Sequence, residues 1–132
     1  MSDKNRIVIV LGSNKDSERN IEQACCMLEK LFPVQWAEAV YTRPLHCISS
    51  EPFLNRVGLS FTSSDVKELR VCFKQMEKAL GRTADSKQSG VIPMDIDLVR
   101  WNDIVLKPDD WSRDYVQNGI KEIEGRQKES YF

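Results

Sequence analysis

The sequence contains the stretch Pro93-Met94-Asp95-Ile96-Asp97-Leu98-Val99, in which two carboxylates lie two positions apart in an otherwise apolar run. Side chains of a β-strand point alternately to opposite faces, so the two aspartates share one face and the apolar residues share the other. Like charges this close repel unless a cation lies near them, and Mg²⁺ prefers such oxygen ligands. The pattern alone leaves two possibilities open: a metal-binding site, or the solvent-exposed face of a strand.

Apolar patterns before this strand predict three more strands and two helices. A continuous apolar run at 7–11 is typical of a central strand, alternation at 53–62 predicts another, and 34–42 is strand-like with looser alternation. Apolar residues at helical spacing predict one helix between about residue 16 and Pro33. A capping box at Asp65 and a terminal Gly81 bound the second helix.

The predicted order is β-α-β-β-α-β, the ferredoxin-like split βαβ arrangement. We therefore expect an α+β fold with a four-stranded antiparallel sheet, both helices on one face, and long ligand-binding loops on the other. Loops at 43–52 and 82–93 then lie over Asp95 and Asp97, which favours a functional site. We expect a single domain over 1–132, with a polar, weakly ordered tail from about residue 124.

The composition limits the possible partners. The chain has 132 residues, 41% hydrophobic and 30% charged, with a net charge of −1, so nothing favours a nucleic acid or an anionic membrane surface. No apolar run approaches the roughly 20 residues that span a bilayer, and the N-terminus lacks a signal-peptide core. The four cysteines form no Cys-x-x-Cys pair. We therefore expect a reduced, cytoplasmic enzyme or binding domain, and we also expect a monomer.

Two further groups of residues are left open by their patterns. Asn55 is the polar member of an otherwise apolar face in the 53–62 strand. It either caps a turn near the loop or presents an amide that recognises the edge of a ligand. The second helix carries a basic stripe, which is usually a solvated face. Its members are Lys67, Arg70, Lys74 and Lys78.

Five short motifs resemble, in order and spacing, those of one enzyme family. They are Leu11-Gly12-Ser13-Asn14, Tyr41-Thr42-Arg43-Pro44-Leu45, Phe53-Leu54-Asn55-Arg56-Val57, Glu77-Lys78-Ala79-Leu80-Gly81-Arg82 and Met94-Asp95-Ile96-Asp97-Leu98. The family is 6-hydroxymethyl-7,8-dihydropterin pyrophosphokinase of folate biosynthesis. Each motif alone is weak, but together they make the resemblance extend over about residues 6–123.

The resemblance implies an ATP-dependent diphosphokinase that transfers pyrophosphate from ATP to 6-hydroxymethyl-7,8-dihydropterin. Asp95 and Asp97 would hold two Mg²⁺ ions, and Arg82 and Arg113 would act with them as catalytic residues. ATP would be the co-substrate, and the residues that bind it would be Lys74, Glu77, Arg82, Lys87 and Arg113. The residues that bind the pterin would be Thr42, Pro44, Leu45, Phe53, Asn55 and Tyr115.

The stretch before Asp95 departs from the family's pattern. The family usually has Arg-Trp-Gly-Pro-Arg-Thr where this chain has Gln88-Ser89-Gly90-Val91-Ile92-Pro93. Arginine contacts with a transferring phosphate stabilise its transition state strongly. Two alternatives therefore stay open. One is an impaired or repurposed homologue that binds a pterin-like or nucleotide ligand without pyrophosphoryl transfer, and the other is a partner-binding domain on the same scaffold.

Overall fold

A computed structural model describes residues 4–43 and 51–129. The strands described are β1 (Asn5–Ser13), β2 (Val34–Trp36), β3 (Val40–Thr42), β4 (Phe53–Thr62), β5 (Asp95–Trp101) and β6 (Ile104–Val105). The helices described are α1 (Ser17–Glu29), α2 (Val66–Ala79), α3 (Ser86–Ser89), α4 (Pro108–Trp111) and α5 (Asp114–Glu129). None of these described helices is long and apolar enough to cross a membrane.

β1 is the central strand of an antiparallel sheet. The order across the sheet is β2-β4-β1-β5-β6, and β3 pairs with β4 beyond the end of β2. The sheet therefore has six strands rather than the predicted four. The expected 34–42 strand is divided into β2 and β3, and a hairpin adds β6. Without β3 and β6, the order β2-β4-β1-β5 is compatible with a ferredoxin-like arrangement.

α1 and α2 pack on one face of the sheet, where apolar side chains from both helices and four strands form one core. Met94, Ile96 and Leu98 belong to this core, so the apolar residues around the aspartates face the helices. α2 begins with the predicted capping box, in which the Glu68 amide donates to Asp65 Oδ1 at 2.8 Å and the Asp65 amide donates to Glu68 Oε1 at 3.1 Å.

The opposite face carries α5, which contradicts the prediction that only loops lie there. A second core joins α5 to the central strands and consists of Val8, Val10, Ala37, Val57, Leu59, Val99, Val116, Ile120 and Ile123. The predicted weakly ordered tail from about residue 124 is also wrong as far as Glu129, where α5 ends. Asp95 and Asp97 remain accessible on this face, beside the residues that begin α5.

A register shift in β5 directs the chain that follows the carboxylates. Val99 is an extra residue in β5, and its carbonyl accepts hydrogen bonds from the amides of Leu106 at 2.8 Å and Lys107 at 3.3 Å. The pairs that define the shift are Ile9–Leu98 and Val8–Arg100. The predicted turn at 102–103 joins β5 to β6, with Asn102 at φ 53°. The hairpin thus returns Lys107 toward Asp97.

The two predicted loops differ in how far the structure describes them. The 82–93 segment contains the single-turn helix α3, which ends at Gly90 with φ 75°. The segment therefore has more regular structure than the loop we expected. Most of the predicted 43–52 loop, residues 44–50, lies outside the described residues.

Candidate active site

The floor of the site is a row of residues across three strands. Gly12 in β1 is paired with Asn55 in β4 and with Asp95 in β5. Side chains of directly paired residues lie on the same face, so Asn55 and Asp95 project on either side of Gly12. A Cβ at position 12 would lie 3.4 Å from Asn55 Oδ1 and 3.7 Å from the Phe53 ring. Glycine therefore leaves open the space between these side chains.

Asp95 and Asp97 each have a cationic partner. Asp95 Oδ1 accepts a hydrogen bond from Arg82 Nη1 at 2.9 Å. Asp97 Oδ1 accepts one from Lys107 Nζ at 2.5 Å. The Asp97 side chain is 16% exposed and the Asp95 side chain 38%, so Asp97 is the deeper of the two carboxylates.

The electrostatics around Asp97 favour an additional cation. Burial raises the pKa of Asp97 to about 7, the charge of Asp95 adds to the rise, and the hydrogen bond from Lys107 opposes it. Burial acts to lower the pKa of Lys107, but its hydrogen bond to Asp97 and the surrounding carboxylates outweigh that effect and raise it. Even with Lys107 in place, Asp97 therefore has less positive charge around it than an ionised carboxylate requires.

Glu77 joins the end of α2 to the edge of β5. Its Oε2 accepts a hydrogen bond from the Ile96 amide at 2.7 Å and lies 3.4 Å from Arg82 Nη1. Burial raises the pKa of Glu77; the Ile96 amide and Arg82 oppose the rise, and the charge of Asp95 adds to it. Arg82 therefore lies between two carboxylates, Glu77 and Asp95, and all three side chains are fixed against β5.

A first cavity, of about 210 Å³, lies above the row formed by Gly12, Asn55 and Asp95. Aromatic surface comes from Phe53 and Tyr115, and the Arg113 guanidinium carbon lies 4.9 Å from the centre of the Tyr115 ring. The complete lining is Val10, Leu11, Gly12, Thr42, Arg43, Phe53, Asn55, Ile92, Asp95, Asp97, Asp110, Arg113 and Tyr115. This cavity thus combines flat apolar surfaces with a polar wall.

Asn55 is a fixed part of that wall. Its Nδ2 donates to Thr42 Oγ1 at 2.7 Å and to the Val40 carbonyl at 3.2 Å, which holds β3 against β4. The residue is 6% exposed. Its amide nitrogen thus makes local hydrogen bonds within the protein, and the residue also lines the first cavity, so both alternatives left open by the sequence stay open.

A second cavity, of about 340 Å³, lies between α2 and the edge of β5. Four of its lining residues are cationic: Arg70, Lys74, Arg82 and Lys107. Phe73 and Glu77 of α2 also line it, as do residues 95–98 of β5. Part of the basic stripe that we expected to be a solvated face therefore forms the wall of a cavity. Such a wall suits a polyanionic ligand.

Of the described residues, only Asp95 and Asp97 line both cavities. No described cluster of three or more His, Cys, Asp or Glu side chains is placed to hold a metal ion. Mg²⁺, however, is usually bound through one or two carboxylates together with substrate phosphates and water. Asp95 and Asp97 each already bind a cationic side chain, and both line the cationic cavity. The two carboxylates therefore fit the binding of Mg²⁺ together with phosphates.

The structure brings most of the predicted site residues together. Those in the first cavity are Thr42, Phe53, Asn55, Arg113 and Tyr115, and those in the second are Lys74, Glu77 and Arg82, with Asp95 and Asp97 in both. Arg113 was predicted among the ATP-binding residues, but it lies in the first cavity, over Tyr115. Lys87 lies in α3, while its side chain, Pro44 and Leu45 are outside the described part of the chain.

Four charged residues that line the cavities were not among the predicted site residues: Arg43, Arg70, Lys107 and Asp110. Lys107 contacts Asp97, and Asp110 lines the first cavity. The available signal was weak: a lysine that follows the Asp95 strand after one short turn, on a segment that runs back along that strand. No local pattern in the sequence indicates which carboxylate such a lysine meets.

The fold and the site define an α+β protein in which an aromatic-lined cavity and a cationic cavity meet at two carboxylates. A family model described as 7,8-dihydro-6-hydroxymethylpterin-pyrophosphokinase (HPPK) matches residues 8–125. The chain therefore belongs to this family, as its motifs predicted. The matched residues include the whole described lining of both cavities.

Curated relatives are similar over most of this chain. The folate synthesis bifunctional protein, mitochondrial, of Pisum sativum is 28% identical over 130 residues, and the folic acid synthesis protein FOL1 of Dictyostelium discoideum is 27% identical over 129 residues. Each alignment covers 90% of this chain. It covers 25% of the first relative and 20% of the second, so the chain spans a quarter of their length or less.

Proposed function

We propose that the protein transfers pyrophosphate from ATP to 6-hydroxymethyl-7,8-dihydropterin in folate biosynthesis. The observation that supports this best is that Asp95 and Asp97 line both cavities. Group transfer between two ligands requires their reacting atoms to lie side by side in a fixed orientation. A ligand in each cavity would meet its partner at this pair of carboxylates, and membership of the family supplies the reaction.

The first cavity is the proposed pterin site. Phe53 and Tyr115 offer apolar ring surfaces to a flat heterocycle, and the fixed Asn55 side chain offers a polar group to its edge. Thr42 orients Asn55 and lines the same wall. Pro44 and Leu45 follow β3 in sequence and complete the proposed set of pterin-binding residues.

The second cavity is the proposed ATP site. Lys74 and Arg82 would neutralise phosphate charge, Glu77 would hold Arg82 in place, and Lys87 would approach from the 82–93 segment. Arg113 would contact the phosphates from the side of the first cavity. We expect the 82–93 segment to close over the nucleotide and exclude water.

The transfer step joins the contents of the two cavities. The hydroxymethyl oxygen of the pterin attacks the β-phosphorus of ATP and its proton passes to water. The bond from that phosphorus to the bridging oxygen of the α-phosphate breaks, and AMP leaves with that oxygen. Asp95 and Asp97 would hold two Mg²⁺ ions, which when bound neutralise phosphate charge and orient the reacting oxygens. Arg82, placed beside Asp95, would stabilise the charge that develops on the transferring group.

Several general properties belong to the same proposal. We expect residues 1–132 to form a single domain and the protein to be a cytoplasmic monomer. Its partners would be ATP and the pterin, without a nucleic acid or a membrane. The composition supports a single domain without a nucleic-acid or membrane partner, and the family supports the two small-molecule partners.

Ile92 favours a second candidate function, in which the protein binds a pterin-like or nucleotide ligand without transferring pyrophosphate. Its apolar side chain lines the first cavity, at a position where the family's motif has an arginine. The Ile92 amide donates to Asn14 Oδ1 at 2.6 Å, and the Asn14 amide donates to the Ile92 carbonyl at 3.0 Å. This clamp fixes position 92 beside the reacting groups without supplying a charge.

Calorimetry and product analysis together test the proposal. The protein is titrated with α,β-methylene ATP in the presence and absence of Mg²⁺, alone and with 6-hydroxymethylpterin, and AMP is then measured after addition of ATP and 6-hydroxymethyl-7,8-dihydropterin. We expect Mg²⁺-dependent nucleotide binding and one AMP for each pyrophosphorylated pterin. Binding without AMP release would establish the second candidate instead, and absence of nucleotide binding with Mg²⁺ would rule out the transfer reaction.

Two variants identify which cavity takes which ligand. Gly12→Ala adds a methyl group to the floor of the first cavity at ordinary contact distance from Asn55, so the fold should tolerate it. We expect about tenfold weaker pterin binding, as for one misplaced methyl group in a pocket, with unchanged nucleotide affinity. The double variant Asp95→Asn with Asp97→Asn should lose the Mg²⁺ dependence of nucleotide binding.

A further inference from the structure

Lys107 lies between a carboxylate and a cavity. Its Nζ is 2.5 Å from Asp97 Oδ1, and its side chain is also part of the lining of the second cavity, with Lys74 and Arg82. The Lys107 side chain is 43% exposed, whereas that of Asp97 is 16% exposed. A lysine has a compact charge on a flexible stem, so the same ammonium group can serve Asp97 or an anion in the cavity.

The backbone at Lys107 is held at both its amide and its carbonyl, whereas its side chain is held at one point only. The Lys107 amide donates to the Val99 carbonyl at 3.3 Å, and the Lys107 carbonyl accepts from the Trp111 amide at 2.9 Å. Among the described residues, the ammonium group has one hydrogen-bond partner, Asp97. Rotation of the side chain alone is therefore enough to change what it contacts.

Arg82 provides the contrast at Asp95. Its Nη1 lies 2.9 Å from Asp95 Oδ1, 3.4 Å from Glu77 Oε2 and 3.3 Å from the Met94 carbonyl. These three contacts fix the guanidinium group beside β5. Of the two cationic groups that hold the carboxylate pair, Lys107 is thus the one that is placed to move.

We propose that Lys107 exchanges partners during ligand binding. It holds Asp97 before a nucleotide binds, and its ammonium group transfers to the nucleotide's phosphates once a divalent cation takes its place on Asp97. This inference rests on the proposed function of the second cavity as the ATP site. It gives the chain a phosphate-binding cation at a position that its sequence motifs do not indicate.

Partner exchange has consequences of opposite sign for the two ligands. A divalent cation alone must displace Lys107 from Asp97, so removal of the ammonium group should strengthen metal binding. The nucleotide gains a contact from the displaced ammonium group, so the same removal should weaken nucleotide binding. A lysine that served only to stabilise the fold would not change the two affinities in opposite directions.

The experiment measures both affinities on the same set of variants. Mn²⁺ binding without nucleotide is followed by the electron paramagnetic resonance signal of free Mn²⁺, and α,β-methylene ATP binding at saturating Mg²⁺ by calorimetry. For Lys107→Ala and Lys107→Gln we expect Mn²⁺ affinity to rise about threefold to tenfold and nucleotide affinity to fall by a similar factor, as for a partly exposed ion pair. Lys107→Arg, which keeps the charge, should restore nucleotide affinity to within about twofold.

Lys74→Ala is the matched control for the metal measurement. Lys74 lines the same cavity without a hydrogen bond to Asp97, so its removal changes the charge of the cavity but frees no carboxylate. We expect its Mn²⁺ affinity to change by less than about twofold. If Mn²⁺ affinity rose as much in Lys74→Ala as in Lys107→Ala, the proposed exchange would be overturned, because the rise would then reflect only the lost positive charge.

The remaining outcomes separate this inference from the function on which it rests. Wild-type protein that binds Mn²⁺ and nucleotide, with Lys107 variants that bind Mn²⁺ no more tightly, overturns the inference alone. Wild-type protein that binds neither ligand overturns both. Circular dichroism melting curves should show every variant folded at the temperature of the titrations, although Lys107→Ala and Lys107→Gln lose the ion pair with Asp97 and should melt below the wild type.

Discussion

Asp97 is a carboxylate that the folded protein holds in an unfavourable place. It is buried, Asp95 adds like charge, and one lysine supplies partial compensation, so its pKa rises to about 7. An ionised carboxylate under these conditions costs stability in the protein without metal. Such an environment is typical of a carboxylate in a cation-binding site. The loss of unfolding free energy that ionised Asp97 causes should be measurable.

The Asp97→Asn variant tests that cost. The folded-state pKa of Asp97 lies above its unfolded value, so the wild type loses stability as the pH rises from about 4 through 7, while the amide has no such dependence. The unfolding free energy of Asp97→Asn minus that of the wild type should be about 2–3 kcal/mol larger at pH 8 than at pH 5, without Mg²⁺. Urea denaturation at both pH values measures it.

Magnesium provides the control for this variant. Addition of Mg²⁺ at pH 8 should stabilise the wild type more than Asp97→Asn, because only the wild type keeps both carboxylates. An advantage of the variant that is equal at pH 5 and pH 8 would show that Asp97 is not destabilising in the folded state.

At the residue scale, the sequence predicts the direction of a side chain better than its partner. Alternation along β5 was enough to put Asp95 and Asp97 on one face. The row that joins Asn55, Gly12 and Asp95 depends on the register of three strands, and no single segment encodes that register. The contact between Lys107 and Asp97 depends in addition on the extra residue in β5 and on the hairpin that follows it.

Among the elements, α5 shows how a helix escapes detection in a sequence. Its apolar contacts are few and lie at 116, 120 and 123, while Gly119 and Gly125 weaken the helical propensity. Gly119 is nevertheless required by packing, because a Cβ there would lie 2.9 Å from Val57 Cβ and 3.3 Å from Ala37 Cβ. Position 119 is therefore a glycine because α5 lies close to the sheet, and not because of helical propensity.

Alanine at the two glycines of α5 should therefore have opposite effects. In Gly119→Ala the new methyl group clashes with Val57, and we expect the unfolding free energy to fall by about 1–2 kcal/mol. In Gly125→Ala nothing lies within 4 Å of the new Cβ, and we expect a gain of about 0.5–1 kcal/mol from helical propensity. Chemical denaturation of both variants measures the difference, and a stabilised Gly119→Ala would contradict the observed packing.

Other elements were predictable because their signals are local. The capping box of α2 and the turn after β5 depend on residues three or fewer positions apart, and both were predicted correctly. The 34–42 segment was not predicted correctly, because its division into β2 and β3 depends on pairing with β4. These short strands pair with different parts of β4, at 58–60 and at 53–55.

For the whole molecule, the end of α5 connects distant parts of the chain. Arg126 Nη2 donates to the Trp36 carbonyl of β2 at 2.8 Å, and Arg6 Nη2 in β1 donates to Glu124 Oε2 at 3.0 Å. The segment expected to be a tail thus contacts both β1 and β2, which are separated by β4 in the sheet. The sequence of this segment is polar because its contacts are polar. Polarity alone therefore does not distinguish a weakly ordered tail from a helix end that is held by polar contacts.

Deletion of residues 124–132 tests this account. Loss of the charged hydrogen bond from Arg126, with a smaller loss at the half-exposed Arg6–Glu124 pair, should lower the unfolding free energy by about 2 kcal/mol. The melting temperature should fall by roughly 5–10 °C. Arg126→Ala should reproduce the greater part of this loss. A deletion with unchanged stability would support the tail that the sequence suggested.

The strand order of the main sheet could be predicted from the order of elements, because handedness rules leave few topologies for β-α-β-β-α-β. The packing of α5 on the opposite face of the sheet could not be predicted, because the sequence did not reveal α5 as a helix. The family resemblance already separated ATP-binding from pterin-binding residues. The cavity that contains Lys74, Glu77 and Arg82 could be described only once α2 was placed against the edge of β5.

If the two cavities bind pterin and nucleotide as proposed, the carboxylate wall common to both makes the two ligands interdependent. Any ligand that changes the charge balance at Asp95 and Asp97 from one side alters the affinity of the other side. Thermodynamic linkage makes this effect reciprocal: the factor by which nucleotide changes pterin affinity must equal the factor by which pterin changes nucleotide affinity. Cooperativity between the two ligands therefore requires no change of fold, because the carboxylates that they share are sufficient to couple them.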